Sequence, residues 1–166
     1  MTSTSGIMKQ LILALGALIS CTSGSAAAPE QSARAAELIA AGAPGVRWDR
    51  GTLVEGDFNG DGKPDFAVVG YKGDGLVLAI RASSAKGGRY RTDYQHFGIS
   101  PSIQAAICEA PAKLGVGEQV CRPMDEQLPG CRPSNTTKSL HLSGGDCDAI
   151  HLFWNHKTNL MEWWRL

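Results

Sequence analysis

The sequence predicts a mainly β fold: a small antiparallel β-sheet domain with one N-terminal helix, stabilised by disulfide bonds. The chain of 166 residues contains 20 glycines and 8 prolines, which favour many turns and therefore short strands. Its hydrophobic fraction of 43% and charged fraction of 19% are typical of a globular protein that buries a core. The cysteines beyond the amino-terminal segment are even in number, which predicts disulfides if the chain is exported.

An export signal is predicted at the amino terminus, over residues 1–20. Met8-Lys9 precedes the apolar run 11–19, which is too short to span a membrane. A basic residue followed by a short apolar run is typical of a signal peptide, so this segment is excluded from the predicted fold.

The end of that signal, Leu18-Ile19-Ser20-Cys21, resembles the lipobox of bacterial lipoproteins. The resemblance implies that Cys21 is lipidated and becomes the first mature residue, which would anchor the chain in the cell envelope. Residues 21–28 are predicted to form a flexible tether, because Thr22-Ser23-Gly24-Ser25 is small and polar. The alternative is ordinary signal cleavage near Ala27, which would release a secreted protein.

The remaining cysteines predict two disulfides. Four cysteines allow three connectivities. Cys121 and Cys131 bracket a loop rich in turn residues, and a disulfide between them would close it. We therefore expect the pairs Cys121–Cys131 and Cys108–Cys147. No C-x-x-C pair occurs, so a zinc site of that kind is not expected.

Residues 29–166 are predicted to form a single β-rich domain that begins with the helix. The helix is expected over residues 29–41, because Pro29 suits a first turn, several alanines favour the interior and Gly42 offers a stop. Its modest apolar stripe, centred on Ile39, is enough to dock it on a neighbouring element.

A central β-hairpin is predicted from two apolar runs, residues 66–71 and 76–80. The connecting Lys72-Gly73-Asp74-Gly75 supplies the positive φ that a tight turn needs, and it sets Val69 opposite Leu78. Both faces of the hairpin are apolar, so we expect it in the middle of the sheet. Further strands are predicted at residues 52–54 and 89–97.

The C-terminal part predicts a second hairpin, from residues 139–142 and 149–154. Its register places Leu140 opposite Leu152 and Leu142 opposite Ile150, which forms one buried face. Residues 160–166 are expected to close the sheet, and Trp154 with Trp163 or Trp164 to anchor the core. Between the two hairpins the sequence pattern does not distinguish helix from strand, and residues 102–110 fit either a short helix or a strand.

The acidic loop, residues 57–65, is the most specific motif. Oxygen-bearing side chains occupy its first, third, fifth and ninth positions, and Gly62 at the sixth allows a sharp turn. Alternate residues of such a loop can direct their oxygens to one hard cation such as calcium. The predicted ligands are Asp57, Asn59, Asp61, the carbonyl of Lys63, and Asp65. The alternative is a polar turn that binds no cation.

The segment 52–80 resembles the calcium loop of FG-GAP and VCBS repeats, which also occurs in integrin α-subunit propellers. In those families a D-x-[DN]-x-D-G-x-x-D loop lies between two antiparallel strands, which implies the same ligand set here. An EF-hand is excluded because its twelfth position would need a glutamate and Val68 stands there. The motif occurs once, so a solitary module is expected rather than a propeller.

Two histidines form a second candidate site. The predicted register places His141 opposite His151, where the two imidazoles could share a transition metal with His156 as a third ligand. We favour instead the exposed polar face of a half-buried hairpin. Asp146 and Asp148 could form another acidic site, but the adjoining glycines favour a turn.

The predicted function is that of a non-catalytic envelope protein. No G-x-S-x-G, phosphate-binding glycine loop or H-E-x-x-H motif occurs. The zero net charge gives no indication of nucleic acid as a partner. We expect a calcium-binding lipoprotein that acts as a structural or binding module, with calcium, the membrane (through the lipid) and an unidentified envelope protein as partners. The alternative is a secreted inhibitor or immunity-type protein directed at an envelope enzyme, and a small hydrolase is a third hypothesis.

Overall fold

The computed structural model of the chain describes residues 1–2, 27–83 and 88–166. The predicted signal peptide beyond residue 2, the lipidation site Cys21 and the tether up to residue 26 lie outside these residues. Within the described part of the chain, no helix is long and apolar enough to cross a membrane.

The fold is mainly β with one α-helix among the described residues, as predicted. The elements are α1 (Ala27–Gly42), β1 (Arg47–Gly56), β2 (Asp65–Lys72), β3 (Gly75–Ser83), β4 (Tyr90–Ile99), β5 (Ala106–Ile107), β6 (Lys113–Glu118), a 3-10 turn (Pro123–Asp125), β7 (Lys138–Ser143), β8 (Ile150–Asn155) and β9 (Leu160–Trp164). Helix α1 begins two residues inside the segment predicted to be a tether, because Ala27 and Ala28 extend its first turn.

The strands form two sheets. The first has the order β1-β2-β3-β4-β5 and the second the order β6-β7-β8-β9. Neighbouring strands are antiparallel, as predicted, except that β5 pairs parallel with the end of β4. Strand β5 resolves the ambiguous segment 102–110 as a two-residue strand. The two-sheet arrangement was not predicted.

Both predicted hairpins are present in the predicted register. In the first, Val69 pairs with Leu78 and Tyr71 with Leu76. In the second, Leu140 pairs with Leu152 and Leu142 with Ile150. The hairpin β2–β3 lies in the interior of the first sheet because both of its faces are covered.

The main core lies between the two sheets. Fully buried side chains of the first sheet, among them Leu78 and Val69, meet Leu140, Leu152 and Trp154 of the second. Burial of Trp154 confirms its predicted place in the core. Trp163 is 39% exposed, and Trp164 packs outside the main core. The core therefore depends on one tryptophan rather than two.

Helix α1 covers the outer face of the first sheet. Ile39 is fully buried there against Val68 and Ala79, and Tyr94 donates a hydrogen bond from its hydroxyl to the Ile39 carbonyl at 2.8 Å. The predicted docking stripe of the helix is thereby confirmed. The result is three layers: helix, five-stranded sheet and four-stranded sheet.

Both predicted disulfides are present. The Cα atoms of Cys108 and Cys147 are 5.7 Å apart, and those of Cys121 and Cys131 are 5.5 Å apart. The second disulfide lies on the outer face of the second sheet, where it packs with the buried Phe153. Loop 121–131 therefore covers that sheet in the way that α1 covers the first one.

Candidate functional site

The acidic loop connects two antiparallel strands at a point where they still pair. Gly56 at the end of β1 pairs with Asp65 at the start of β2. Gly60 and Gly62 both have φ of +78°, a conformation that residues with a Cβ rarely adopt. The Asp57 carbonyl accepts a hydrogen bond from Lys138 N at 2.8 Å, which fixes the loop to the start of β7.

Asp57 organises the curl of the loop through backbone amides. Its Oδ1 accepts hydrogen bonds from Gly60 N at 2.7 Å and from Asp61 N at 3.1 Å. Its Oδ2 accepts one from Gly62 N at 2.9 Å. Three backbone amides thus converge on one carboxylate, which closes the turn.

Asp65 is the buried end of the loop, with no exposed surface. Its Oδ2 accepts hydrogen bonds from Phe58 N at 2.9 Å and Asn59 N at 3.2 Å, and its Oδ1 accepts one from Ser83 N at 2.8 Å. Burial raises the pKa of the Asp65 carboxyl to about 7, although these backbone hydrogen bonds lower it. The carboxyl thus joins the loop to the end of β3.

Asn59 and Asp61 turn toward the same residue, Ser83. The side-chain amide of Asn59 donates to the Ser83 carbonyl at 2.5 Å, and the Ser83 hydroxyl donates to Asp61 Oδ2 at 2.5 Å. Asn59 Oδ1 also accepts from Asp61 N at 2.9 Å, and Asp61 Oδ1 from Lys63 N at 3.0 Å. All predicted ligand residues therefore lie in one hydrogen-bonded curl.

Ser83 is a residue of the candidate site that sequence reasoning missed. It contacts Asn59, Asp61 and Asp65, which lie 18 to 24 positions away in the chain. The predicted register of the β2–β3 hairpin contains the necessary signal. Extended past the pair Phe66–Arg81, that register brings the end of β3 beside the acidic loop.

The oxygens of the loop fit a hard cation chemically. A carboxylate or amide oxygen has two lone pairs. Asp57 Oδ1 and Asp65 Oδ2 each accept two amide hydrogen bonds and are filled. One acceptor position remains on Asp57 Oδ2, Asn59 Oδ1, Asp65 Oδ1 and each Asp61 oxygen. At most one oxygen of Asp57 and one of Asp65 is thus available to a cation.

The arrangement nevertheless lacks a formed metal centre. Across residues 27–83 and 88–166, no group of three or more His, Cys, Asp or Glu side chains is placed so that it could hold a metal ion. The carboxylates are turned toward backbone amides in this arrangement. Calcium binding by the loop therefore stays a prediction.

The second candidate site is a row of packed rings. His141 and His151 pair across β7 and β8, as predicted, with ring centroids 4.8 Å apart, and His151 stacks on Trp164 at 4.3 Å. Burial lowers the pKa of His151, and the neighbouring His141 lowers it further. His156 does not join them but lines a separate cleft beside Arg132, so the disfavoured alternative of a three-histidine metal site is not formed among the described residues.

That cleft opens between the two sheets next to the acidic loop. It has a volume of about 630 Å³, and Asn59 and Ser83 form its end nearest the loop. Arg91 and Asp93 of β4 line one side, and His156 lines the other. Burial lowers the pKa of His156, and the charge of Arg132 lowers it further. The cleft was not predicted.

Comparisons of the chain with protein-family models, with curated proteins and with solved structures found no match. The fold and site therefore define a class only: a disulfide-bonded protein of two β-sheets and a helix, with an acidic loop beside an open cleft. The resemblance of the loop to FG-GAP and VCBS repeats stays a prediction.

Proposed function

We propose that the chain is an exported, calcium-binding lipoprotein of the bacterial cell envelope, with a non-catalytic role as a structural or binding module. The observation that supports calcium most directly is the convergence of Asn59, Asp61 and Asp65 on Ser83, with oxygens that retain acceptor capacity. The two disulfides are compatible with an oxidising compartment outside the cytosol.

The proposed ligands are Asp57, Asn59, Asp61, the Lys63 carbonyl and Asp65. A calcium ion among them would offset the mutual repulsion of three carboxyl groups that crowd one short loop. Because the loop joins β1 to β2 and contacts the end of β3, an ion there would tie three strands of the first sheet together. Calcium would then stabilise the folded state by mass action.

The membrane anchor is proposed from the lipobox-like Leu18-Ile19-Ser20-Cys21. A diacylglycerol on Cys21 would hold the folded part close to the membrane surface. Metabolic labelling with a radioactive fatty acid tests this step, and absence of label on the wild-type chain, or label retained after Cys21→Ser, would refute it. Cleavage near Ala27 would instead give an unlabelled, released protein.

Calcium titration with thermal unfolding tests the proposal. Exported calcium modules bind with a dissociation constant of roughly 10⁻⁴ to 10⁻³ M. At about 100 times the dissociation constant, binding adds about 2.7 kcal/mol to the free energy of unfolding. For a dissociation constant of about 10⁻⁴ M, 10 mM calcium reaches that ratio, and we expect the melting temperature of the wild type to rise by roughly 5–10 °C relative to EDTA; for about 10⁻³ M the rise is roughly half as large.

The variant Asp61→Ala removes two ligand oxygens and should abolish most of that rise. Asp74→Ala is the matched control, because it removes an exposed carboxylate from the β2–β3 turn, away from the loop. It should respond to calcium as the wild type does. A wild-type melting temperature that calcium leaves unchanged would overturn the proposal.

A further inference from the structure

The cleft between the sheets has a shape and lining suited to a small molecule. Its volume of about 630 Å³ falls within the usual range for ligand pockets, roughly 300–1,000 Å³. One wall is the inner face of the first sheet, where Ala82 pairs with Arg91 and Ile80 with Asp93. The opposite wall is the end of the second sheet, around the pair Trp154–Met161.

The floor of the cleft is apolar. Ile80, Ala82 and Met161 are buried, and Trp154 is 9% exposed, so its indole borders the cavity with little other access to solvent. Aromatic and aliphatic walls of this kind favour binding of an apolar ligand, because the contact removes apolar surface from water.

Two cations stand above that floor. Arg91 and Arg132 are exposed, and among the described residues neither guanidinium has a hydrogen bond or an ion pair. Other arginines have partners: Arg81 lies over the Tyr90 ring, and Arg165 donates to the Ala106 carbonyl at 2.9 Å. A guanidinium has five donors in a planar fork, which suits carboxylate and phosphate oxygens.

The negative charge in the cleft is smaller. Among the described residues that line it, Asp93 is the only one with a carboxylate, and it accepts a hydrogen bond from Gln95 Nε2 at 3.2 Å. The described lining thus has two arginines against one aspartate, a balance of one positive charge with His156 neutral. His156 adds no negative charge, and its imidazole offers a further polar contact.

We propose that this cleft binds a small amphipathic anion, a carboxylate, sulfonate or phosphate on an apolar body. The anionic group is held between Arg91 and Arg132, and the apolar body lies against Trp154 and Met161. This inference goes beyond the proposed calcium-binding role. The cleft shares Asn59 with the acidic loop, but the two guanidinium groups that hold the anion lie outside that loop.

Isothermal titration of the purified chain with decanoate tests the proposal, in EDTA and again in calcium. Binding of decanoate is expected in both buffers, so the result can be interpreted even if the acidic loop does not bind calcium. The double variant Arg91→Glu/Arg132→Glu should lower the affinity at least tenfold. The control Arg34→Glu/Arg50→Glu makes the same change in charge at exposed sites outside the cleft and should leave the affinity unchanged.

Two further ligands test the apolar floor and the two arginines of the cleft separately. Octanoate should bind more weakly than decanoate by roughly fourfold per methylene removed, because each buried methylene contributes about 0.8 kcal/mol. Decyltrimethylammonium has the same chain with the opposite charge and should bind at least tenfold more weakly than decanoate. No binding of decanoate, equal binding of the cation, or equal losses in the two double variants would each overturn the proposal.

Discussion

The acidic loop 57–65 and the disulfide loop 121–131 are both turn-rich segments, and each is held in one conformation by different interactions. The acidic loop is closed by backbone amides that converge on Asp57 and Asp65. The disulfide loop is closed by the Cys121–Cys131 bond and by a hydrogen bond from Leu128 N to the Cys121 carbonyl at 2.9 Å. One closure depends on hydrogen bonds to two carboxyl groups and the other on redox conditions.

The two loops also differ in what lies beneath them. Asp65 has no exposed surface, and its carboxyl group joins β2 to the acidic loop and to the end of β3. Loop 121–131 lies on the outside of the second sheet, and its Met124 is 75% exposed. Disruption of the acidic loop should therefore reach the core, whereas disruption of the disulfide loop should uncover one face.

The largest effect is expected from Asp65→Ala. Alanine cannot accept the hydrogen bonds from Phe58 N, Asn59 N and Ser83 N, and buried amides left without acceptors are costly. We expect the free energy of unfolding, measured by urea denaturation, to fall by about 3–5 kcal/mol.

Two further variants show how that loss of stability should be interpreted. Asp65→Asn keeps the shape and one acceptor oxygen, so it should be less destabilising than Asp65→Ala and remain measurable if the alanine variant does not fold. Asp74→Ala removes an exposed carboxylate and should change the free energy of unfolding by less than about 0.5 kcal/mol. If Asp65→Ala behaves like Asp74→Ala, the Asp65 carboxyl group does not hold the acidic loop to the end of β3.

A smaller loss is expected from the double variant Cys121→Ser/Cys131→Ser. The chain-entropy model gives a disulfide with a sequence separation of 10 a contribution of about 2.7 kcal/mol. The response to calcium compares the two loops directly, because this variant should keep the full calcium-dependent rise in melting temperature. Loss of that rise would show that the loops are coupled rather than independent.

Sequence reasoning succeeded where the determinants are local. The register of β2–β3 follows from the turn at Gly73-Asp74, and the disulfide pairing follows from parity and one short loop. Tight turns and short loops fix their flanking residues with little help from the rest of the chain.

The features that were missed depend on contacts distant in sequence. The parallel pairing of Gly98 with Ala106 and the division into two sheets are set by how the strands pack, which hydrophobic alternation does not encode. Ser83 has no motif of its own, and the cleft is built from residues between Asn59 and Met161. The proposed ligand residues of the loop were visible in the sequence, but the backbone amides that occupy their oxygens were not.

The smallest predicted effect concerns pH on the disulfide side of the molecule. Burial lowers the pKa of His151, His141 lowers it further, and Asp148 raises it. Because the folded pKa lies below the unfolded one, the unfolded chain takes up its proton first as pH falls. The contribution of His151 is thus fully present above the unfolded pKa of about 6.5 and is lost as pH falls toward the folded value.

His151→Phe tests this, because phenylalanine can keep the stacking on Trp164 but cannot be protonated. The buried Asp65 titrates in an overlapping range with the opposite sign, so the informative quantity is the difference between variant and wild type. Between pH 8 and pH 5.5, the free energy of unfolding should fall less in His151→Phe than in the wild type. The exposed His96→Gln control should follow the wild type, and a fall in His151→Phe as steep as that of the wild type would show that His151 does not make the disulfide side sensitive to acid.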